Sequence, residues 1–133
     1  MGTKVDCFED LRVWQRARGL AADVYRATDG PAFRRDWGLR DQLRRSAVSV
    51  MANIAEGFER GSRPAFHQFA VVAKASCGEL RSHLYLARDV GMITDRQFQS
   101  LRAEAAQVSN MLGALRRALA APATQSSVLS PQS

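Results

Sequence analysis

Residues 98–119 read FQSLRAEAAQVSNMLGALRRAL, and apolar side chains recur along this stretch at alternating intervals of three and four positions. These apolar positions are Phe98, Leu101, Ala105, Val108, Leu112, Leu115 and Leu119. The spacing places them on one face of an α-helix that ends before Pro122. An alternating seam of this kind favours helices packed at crossing angles of about 20°. The stretch therefore predicts a long helix within a helical bundle.

Three further segments have helical periodicity, and no segment shows the period-two alternation of a strand. We predict these helices over about residues 10–28, 37–60 and 63–90. Local signals mark the ends of the later helices: Ser62 as an N-cap, Gly91 as a C-cap, and a capping box formed by Thr94 and Gln97. The short connections make successive helices antiparallel.

The predicted fold class is therefore all-α, with an up-down-up-down antiparallel four-helix bundle over residues 10–121. Residues 1–9 form an N-terminal arm in this interpretation. The last segment, 122–133, is rich in Ser, Pro and Gln, which predicts a disordered tail.

The composition is that of a globular domain with an unusual charge. The chain has 133 residues, of which 46% are hydrophobic and 24% are charged. Its 19 basic residues against 13 acidic ones give a net charge of +6. Only Lys4 and Lys74 are lysines, so the other 17 basic residues are arginines. Two interpretations of this excess are open: it serves an acidic partner, or the preference for arginine reflects only the base composition of the genome.

The expected location is the cytoplasm. The two cysteines, Cys7 and Cys77, fall on segments that give a disulfide no obvious purpose, and free thiols suit a reducing compartment. No signal peptide is recognisable, and the longest uninterrupted apolar run, residues 69–73, is too short to span a bilayer. We expect no membrane partner.

Apolar residues outside the predicted intramolecular seams indicate that the chain associates with itself. They are Val48, Met51, Ala52 and Ala55 on the second helix and Met111, Ala114 and Ala118 on the fourth. Long helices have a large lateral surface, so contacts between subunits are the expected use of these side chains. The sequence predicts a homo-oligomer.

Arginines on the first two helices are the candidate nucleic-acid-binding residues. Arg12 and Arg16 share a face of the first helix, Arg40 and Arg44 lie one turn apart on the second, and Arg45 follows. Such groups bind phosphates of RNA or DNA with little dependence on base sequence.

The alternative is that these arginines belong to an ordinary solvated face. Asp23, Asp36 and Asp41 would then neutralise them, while Arg116 and Arg117 would complement the C-terminus of the last helix. Trp14 and Trp37 are interpreted as core or loop packing residues, so no surface for stacking bases is predicted.

Small polar residues form a second feature, a stripe along the second and third helices. The stripe comprises Gln42, Ser49, Asn53, Glu56, Arg60, Ser76 and Glu79. One interpretation is a ligand-contact surface. The other is that these groups hydrogen-bond across a helix seam or subunit interface, where an unpaired donor costs about 1–3 kcal/mol.

Enzyme motifs are not evident, so we expect a protein that is not an enzyme and has no cofactor. A di-metal bundle site needs Glu-x-x-His twice, whereas His67 and His83 follow Pro64 and Leu80 at that spacing. Glu79 and His83 are one possible ligand pair, which is too few for a metal site. Neither a phosphate-binding loop nor a G-x-S-x-G elbow occurs.

The segment Asn53–Gly57, NIAEG, follows the pair Arg44 and Arg45 and precedes Arg60 and Ser62. The same set of motifs includes LRVWQ at 11–15, WGL at 37–39, RRSAVS at 44–49 and EL at 79–80. With these motifs, the chain resembles the bacterial 23S rRNA-intervening sequence protein family. The resemblance covers about residues 8–119. That family includes the accessory variability determinant of diversity-generating retroelements.

The resemblance implies a homopentameric barrel of four-helix bundles. For the retroelement relatives it also implies a basic surface that binds nucleic acid and a partner reverse transcriptase. Two hypotheses remain open at this point. The chain is either a homo-oligomeric accessory protein that binds RNA or DNA through phosphates, or a structural scaffold for another protein without nucleic-acid binding.

Overall fold

The structure, a computed structural model, describes residues 4–121. This part of the chain contains four α-helices and no strand. The helices are α1 (Arg12–Ala27), α2 (Trp37–Glu59), α3 (Arg63–Asp89) and α4 (Asp95–Ala120). Two short 3₁₀ turns, Phe8–Asp10 and Pro31–Arg35, lie before α1 and α2. The predicted all-α class and the four helices are confirmed. The predicted tail, 122–133, lies outside the described residues.

The end signals of the last two helices act as predicted. Ser62 accepts a hydrogen bond from the Ala65 N–H at 3.3 Å at the start of α3. Before α4, the Gln97 N–H donates to Thr94 Oγ1 at 3.0 Å, and the Thr94 N–H donates to Gln97 Oε1 at 2.8 Å. Gly91 follows α3 with a φ of +77°, the left-handed conformation that commonly ends a helix.

The four helices form a ring in which each packs against two neighbours, and no Cα atoms of the diagonal pairs α1–α3 and α2–α4 come within 8 Å of each other. Contacts across the seams show that neighbours run antiparallel. Ser49 of α2 meets Ser76 of α3, whereas Gly57, further along α2, meets the earlier Phe69. Contacts across the α3–α4 and α4–α1 seams also pair later residues of one helix with earlier residues of the next. Because each of these three pairs is antiparallel, α1 must run antiparallel to α2 as well.

The core lies inside this ring. The seven apolar residues of the predicted α4 seam, from Phe98 to Leu119, are all buried. The predicted arm contributes as well, because Val5 is buried and the Phe8 ring packs edge-on against Trp14 with centroids 5.0 Å apart. Among the described residues no helix is long and apolar enough to cross a membrane.

Candidate nucleic-acid interface

The candidate arginines share one property, which is the lack of an acidic partner. Within residues 4–121, none of Arg12, Arg16, Arg40, Arg44 and Arg45 has a carboxylate oxygen within 4.0 Å. Their charges are therefore not neutralised by ion pairs of the described chain, which leaves them available to an external anion.

The acids expected to neutralise these arginines are engaged elsewhere or stand alone. Asp23 pairs with Arg26 at 2.7 Å on the same helix. Asp36 caps α2, where its Oδ1 accepts a hydrogen bond from the Leu39 N–H at 2.9 Å. Asp41 makes no ion pair and lines the groove between α1 and α2.

Arg44 lies in that groove and is fixed by contacts with α1. Its Nε donates to Thr28 Oγ1 at 2.9 Å, and its guanidinium lies 4.3 Å from the centre of the Tyr25 ring. Thr28 is itself oriented by a bond from its hydroxyl to the Val24 carbonyl at 2.8 Å. The groove is about 600 Å³ and is lined by Tyr25, Asp41, Arg44, Arg45, Val48 and Ser49. The Arg44 guanidinium is thus held in place at the edge of the groove.

The two tryptophans differ in environment. Trp14 is 9% exposed and belongs to the core, as expected. Trp37, the first residue of α2, is 55% exposed, and the Arg40 guanidinium lies 4.2 Å from its ring centre. Tyr25 is 44% exposed beneath Arg44. The expectation of a packing role is wrong for Trp37, because its ring contacts the Arg40 guanidinium and is otherwise largely open to solvent.

Arg12 and Arg16 do not join this groove. Arg16 Nη1 donates to Gln107 Oε1 of α4 at 2.7 Å, so it lies on the α1–α4 seam. Along α1, Arg16 and the Thr28 that contacts Arg44 are separated by about 18 Å at 1.5 Å per residue. The structure thus separates the predicted arginines: Arg44 and Arg45 line the α1–α2 groove, Arg40 lies one turn before Arg44 beside Trp37, and Arg12 and Arg16 lie towards the other end of α1.

Near Arg16, one carboxyl on the α1–α4 seam has an altered acidity. Burial and a hydrogen bond with Asp23 raise the pKa of Glu104 to about 7, and the positive charge of Arg16 opposes this rise. Burial disfavours the charged form of the Glu104 carboxyl, and the neighbouring Asp23 carboxylate disfavours it further by repulsion between like charges.

Part of the polar stripe forms a connected network on the α2–α3 seam. The Ser49 and Ser76 hydroxyls lie 2.8 Å apart, and Asn53 Nδ2 donates to the Ser49 carbonyl at 2.8 Å and to its hydroxyl at 3.0 Å. The remaining stripe members, Gln42, Glu56, Arg60 and Glu79, are exposed.

Three of these exposed members, Glu56, Arg60 and Glu79, make side-chain contacts within their own helices. Glu56 pairs with Arg60 at 2.7 Å, and Glu79 lies 3.6 Å from His83. Arg60 also covers the Phe69 ring at 5.0 Å.

Arg63 has a structural role that sequence reasoning missed. Its Nη2 donates to the carbonyl oxygens of Ala118, Leu119 and Ala121, at 3.3, 3.4 and 2.6 Å. It therefore satisfies the C-terminal end of α4, the role that the solvated-face interpretation gave to Arg116 and Arg117. The contact joins residues more than 50 positions apart, so no local pattern in the sequence indicates it.

Comparison with known proteins adds a family and a fold. The sequence model of the 23S rRNA-intervening sequence protein family matches residues 9–114. No curated protein matches the chain significantly. The chain is similar to a protein of unknown function from the S23 ribosomal protein family of Bacteroides thetaiotaomicron VPI-5482, with a TM-score of 0.73 and 21% identity. The similarity covers 79% of this chain and 98% of that one, and it shows the same fold.

Proposed function

We propose, from the premise that this chain belongs to the 23S rRNA-intervening sequence protein family, that it is a non-enzymatic accessory protein that binds RNA or DNA. In this proposal the phosphate backbone of the nucleic acid lies along the α1–α2 groove. Phosphates contact Arg40, Arg44 and Arg45, and binding depends on charge rather than on base sequence.

The observation that carries the proposal is the absence of ion pairs on these three arginines within residues 4–121. Two of them also cover exposed aromatic rings, Trp37 and Tyr25. Arginine with an aromatic ring is the combination on which unpaired bases stack while phosphates are neutralised. Asp41 is the one acid in the groove, and its charge should weaken binding.

We further propose that the chain assembles as a homopentamer in the cytoplasm. An exposed apolar side chain on the outer side of α3, Val72 at 42% exposure, supports self-association. Free Cys7 and Cys77 suit a reducing compartment. In a pentamer, five copies of the groove would multiply the positive field of each subunit.

A protein-binding scaffold is the second candidate. The observation that favours it is the set of exposed apolar residues at the C-terminal end of α3, where Leu86 is 50% and Val90 is 57% exposed. An apolar surface of this kind fits a protein partner better than a phosphate.

Fluorescence anisotropy with a labelled 20-nucleotide RNA over a salt series separates the two candidates. We expect the affinity to fall steeply with salt. Replacing Arg40, Arg44 and Arg45 with Gln should lower the affinity and reduce the slope of log K against log salt by about 2, for three lost contacts to a single strand.

The matched control replaces three ion-paired arginines, Arg26, Arg60 and Arg88, with Gln and removes the same charge. We expect the control to keep most of the affinity. Equal loss in both variants would reject the groove as the site. No binding by the unaltered chain at low salt would reject nucleic-acid binding and leave the scaffold. Light scattering on the same samples measures the subunit number.

A further inference from the structure

A second basic groove lies between α3 and α4, on the edge of the bundle opposite the α1–α2 groove. It has a volume of about 480 Å³ and is lined by Val71, Lys74, Ala75, Gly78, Arg81 and Arg116. No acidic side chain is among these residues. In the described part of the chain, Lys74, Arg81, Arg116 and Arg117 have no carboxylate oxygen within 4.0 Å.

Two of these cations converge on one point of the α4 backbone. A Cβ atom built on Gly113 would lie 3.3 Å from Arg117 Nη1 and 3.5 Å from Lys74 Cε. The missing side chain of Gly113 thus gives both basic side chains room to lie over the same turn. Like charges on neighbouring side chains repel each other, and an anion bound between them relieves the repulsion.

Arg116 and Arg117, near the end of α4, are not needed to bond the terminal carbonyl groups of that helix. The terminal carbonyls of α4 are bonded by Arg63, at distances down to 2.6 Å. Arg117 instead points back along the helix towards Gly113. Arg81 also has its Nε buried without a hydrogen-bond partner. These groups are therefore held on the α3–α4 edge without a partner that satisfies them.

The length of the groove favours a chain of phosphates over a single ion. From Val71 to Arg81 the groove follows α3 for about 15 Å at 1.5 Å per residue. Successive phosphates of one strand in a duplex rise by about 3.4 Å, so this length corresponds to about four phosphates. The row of basic side chains matches the negative charge of such a backbone, and the small residues between them let the phosphates come close.

We propose that the α3–α4 groove is a second binding site for the phosphate backbone of a nucleic acid, so that one chain holds two nucleic-acid segments on opposite edges. The choice of ligand rests on the proposed function. The site itself is independent of it, because the two grooves share no helix.

Calorimetric titration with an eight-nucleotide oligothymidylate at low salt tests the proposal by its stoichiometry. We expect two oligonucleotides per chain for the unaltered protein. The value should fall to one when Lys74, Arg81, Arg116 and Arg117 are all replaced with Gln, and also to one in the Arg40, Arg44 and Arg45 variant. Counting per chain makes the result independent of the number of subunits.

Two single substitutions at Gly113 test the site even if the four-residue variant does not fold. Gly113→Asp places a carboxylate beside Arg117 and Lys74, whereas Gly113→Asn places a side chain of similar shape without charge. We expect Gly113→Asp to weaken binding at the second site at least tenfold relative to Gly113→Asn. Equal affinities in the two variants would overturn the site.

The remaining outcomes distinguish this proposal from the one before it. Loss of binding only in the α3–α4 variants would leave the second groove as the sole site and reject the first. An unchanged stoichiometry in the α3–α4 variants would reject the second groove alone. Binding of a poly-glutamate peptide in place of the oligonucleotide would replace the nucleic acid with an acidic protein partner.

Discussion

The hydroxyl groups of Ser49 and Ser76 lie 2.8 Å apart and join α2 to α3 across the seam between these helices. Asn53 extends this link by donating to both the carbonyl and the hydroxyl of Ser49. Partly buried polar groups of this kind stabilise a seam only when each one is paired. We infer that these three residues hold α2 against α3.

The network should behave as one unit in unfolding experiments. Asn53→Ala and Ser76→Ala should each lower the free energy of unfolding by about 0.5–1.5 kcal/mol, because each removes a hydrogen bond from a partly buried site. The double variant should lose less than the sum of the two. Urea unfolding measures all three, with the exposed Ser82→Ala as control. Strictly additive losses would show that the residues act separately.

Gly57 marks the closest approach of α2 to α3. A Cβ atom at this position would lie 2.6 Å from Phe69 Cβ and 3.1 Å from the Phe66 ring. Gly57→Ala should therefore force the helices apart and destabilise the protein by about 1–3 kcal/mol.

The matched control for this change is Gly19→Ala on α1. Nothing lies within 4 Å of a Cβ atom there, so alanine should stabilise the helix by about 0.5–1 kcal/mol. Thermal melts of the two variants should move in opposite directions. A melting temperature for Gly57→Ala at or above that of the unaltered protein would contradict the close packing.

The raised pKa of Glu104 predicts how stability changes with pH. Burial and Asp23 favour the protonated form in the folded state, with a pKa of about 7 against an ordinary value of 4.5. The folded state therefore binds more protons than the unfolded state between these values. The free energy of unfolding should fall as the pH rises from about 4.5 to about 7.

Glu104→Gln should remove this pH dependence, because the amide cannot ionise. The variant should melt at a higher temperature than the unaltered protein at pH 8, and the difference should shrink at pH 5. The control is Glu59→Gln, which removes an exposed carboxylate without an ion pair in the described chain. If the melting temperatures of Glu104→Gln and the unaltered protein changed in parallel with pH, the raised pKa of Glu104 would be contradicted.

Arg63 should stabilise the last turn of α4 from a distance. Arg63→Ala leaves three carbonyl groups without this donor. It should lower the free energy of unfolding by about 1.5 kcal/mol, which is the low end of the range for hydrogen bonds to charged groups, because the site is only partly buried. Amide hydrogen exchange should speed up in the last turn of α4. Arg12→Ala, at an exposed position on α1, controls for the loss of charge. Equal effects of the two changes would indicate that the contact contributes little.

Much of the fold could be predicted because its signals are local. A helical face, an N-cap at Ser62 and a capping box at Thr94 depend on residues three or four positions apart. The candidate site could be predicted only in part. Arg40, Arg44 and Arg45 were found by their spacing on one helix, but the separation of Arg16 from them depends on which helix each arginine faces.

The sequence by itself determined the all-α class, the limits of the helices and the apolar face that each one buries. These properties follow from short-range geometry and from the need to remove apolar surface from water. Only the tertiary structure decided which charges remain unpaired, because that depends on the rotation and register of the helices in the bundle. It placed Arg63 at the end of α4, exposed Trp37, and brought Lys74 and Arg117 together over Gly113.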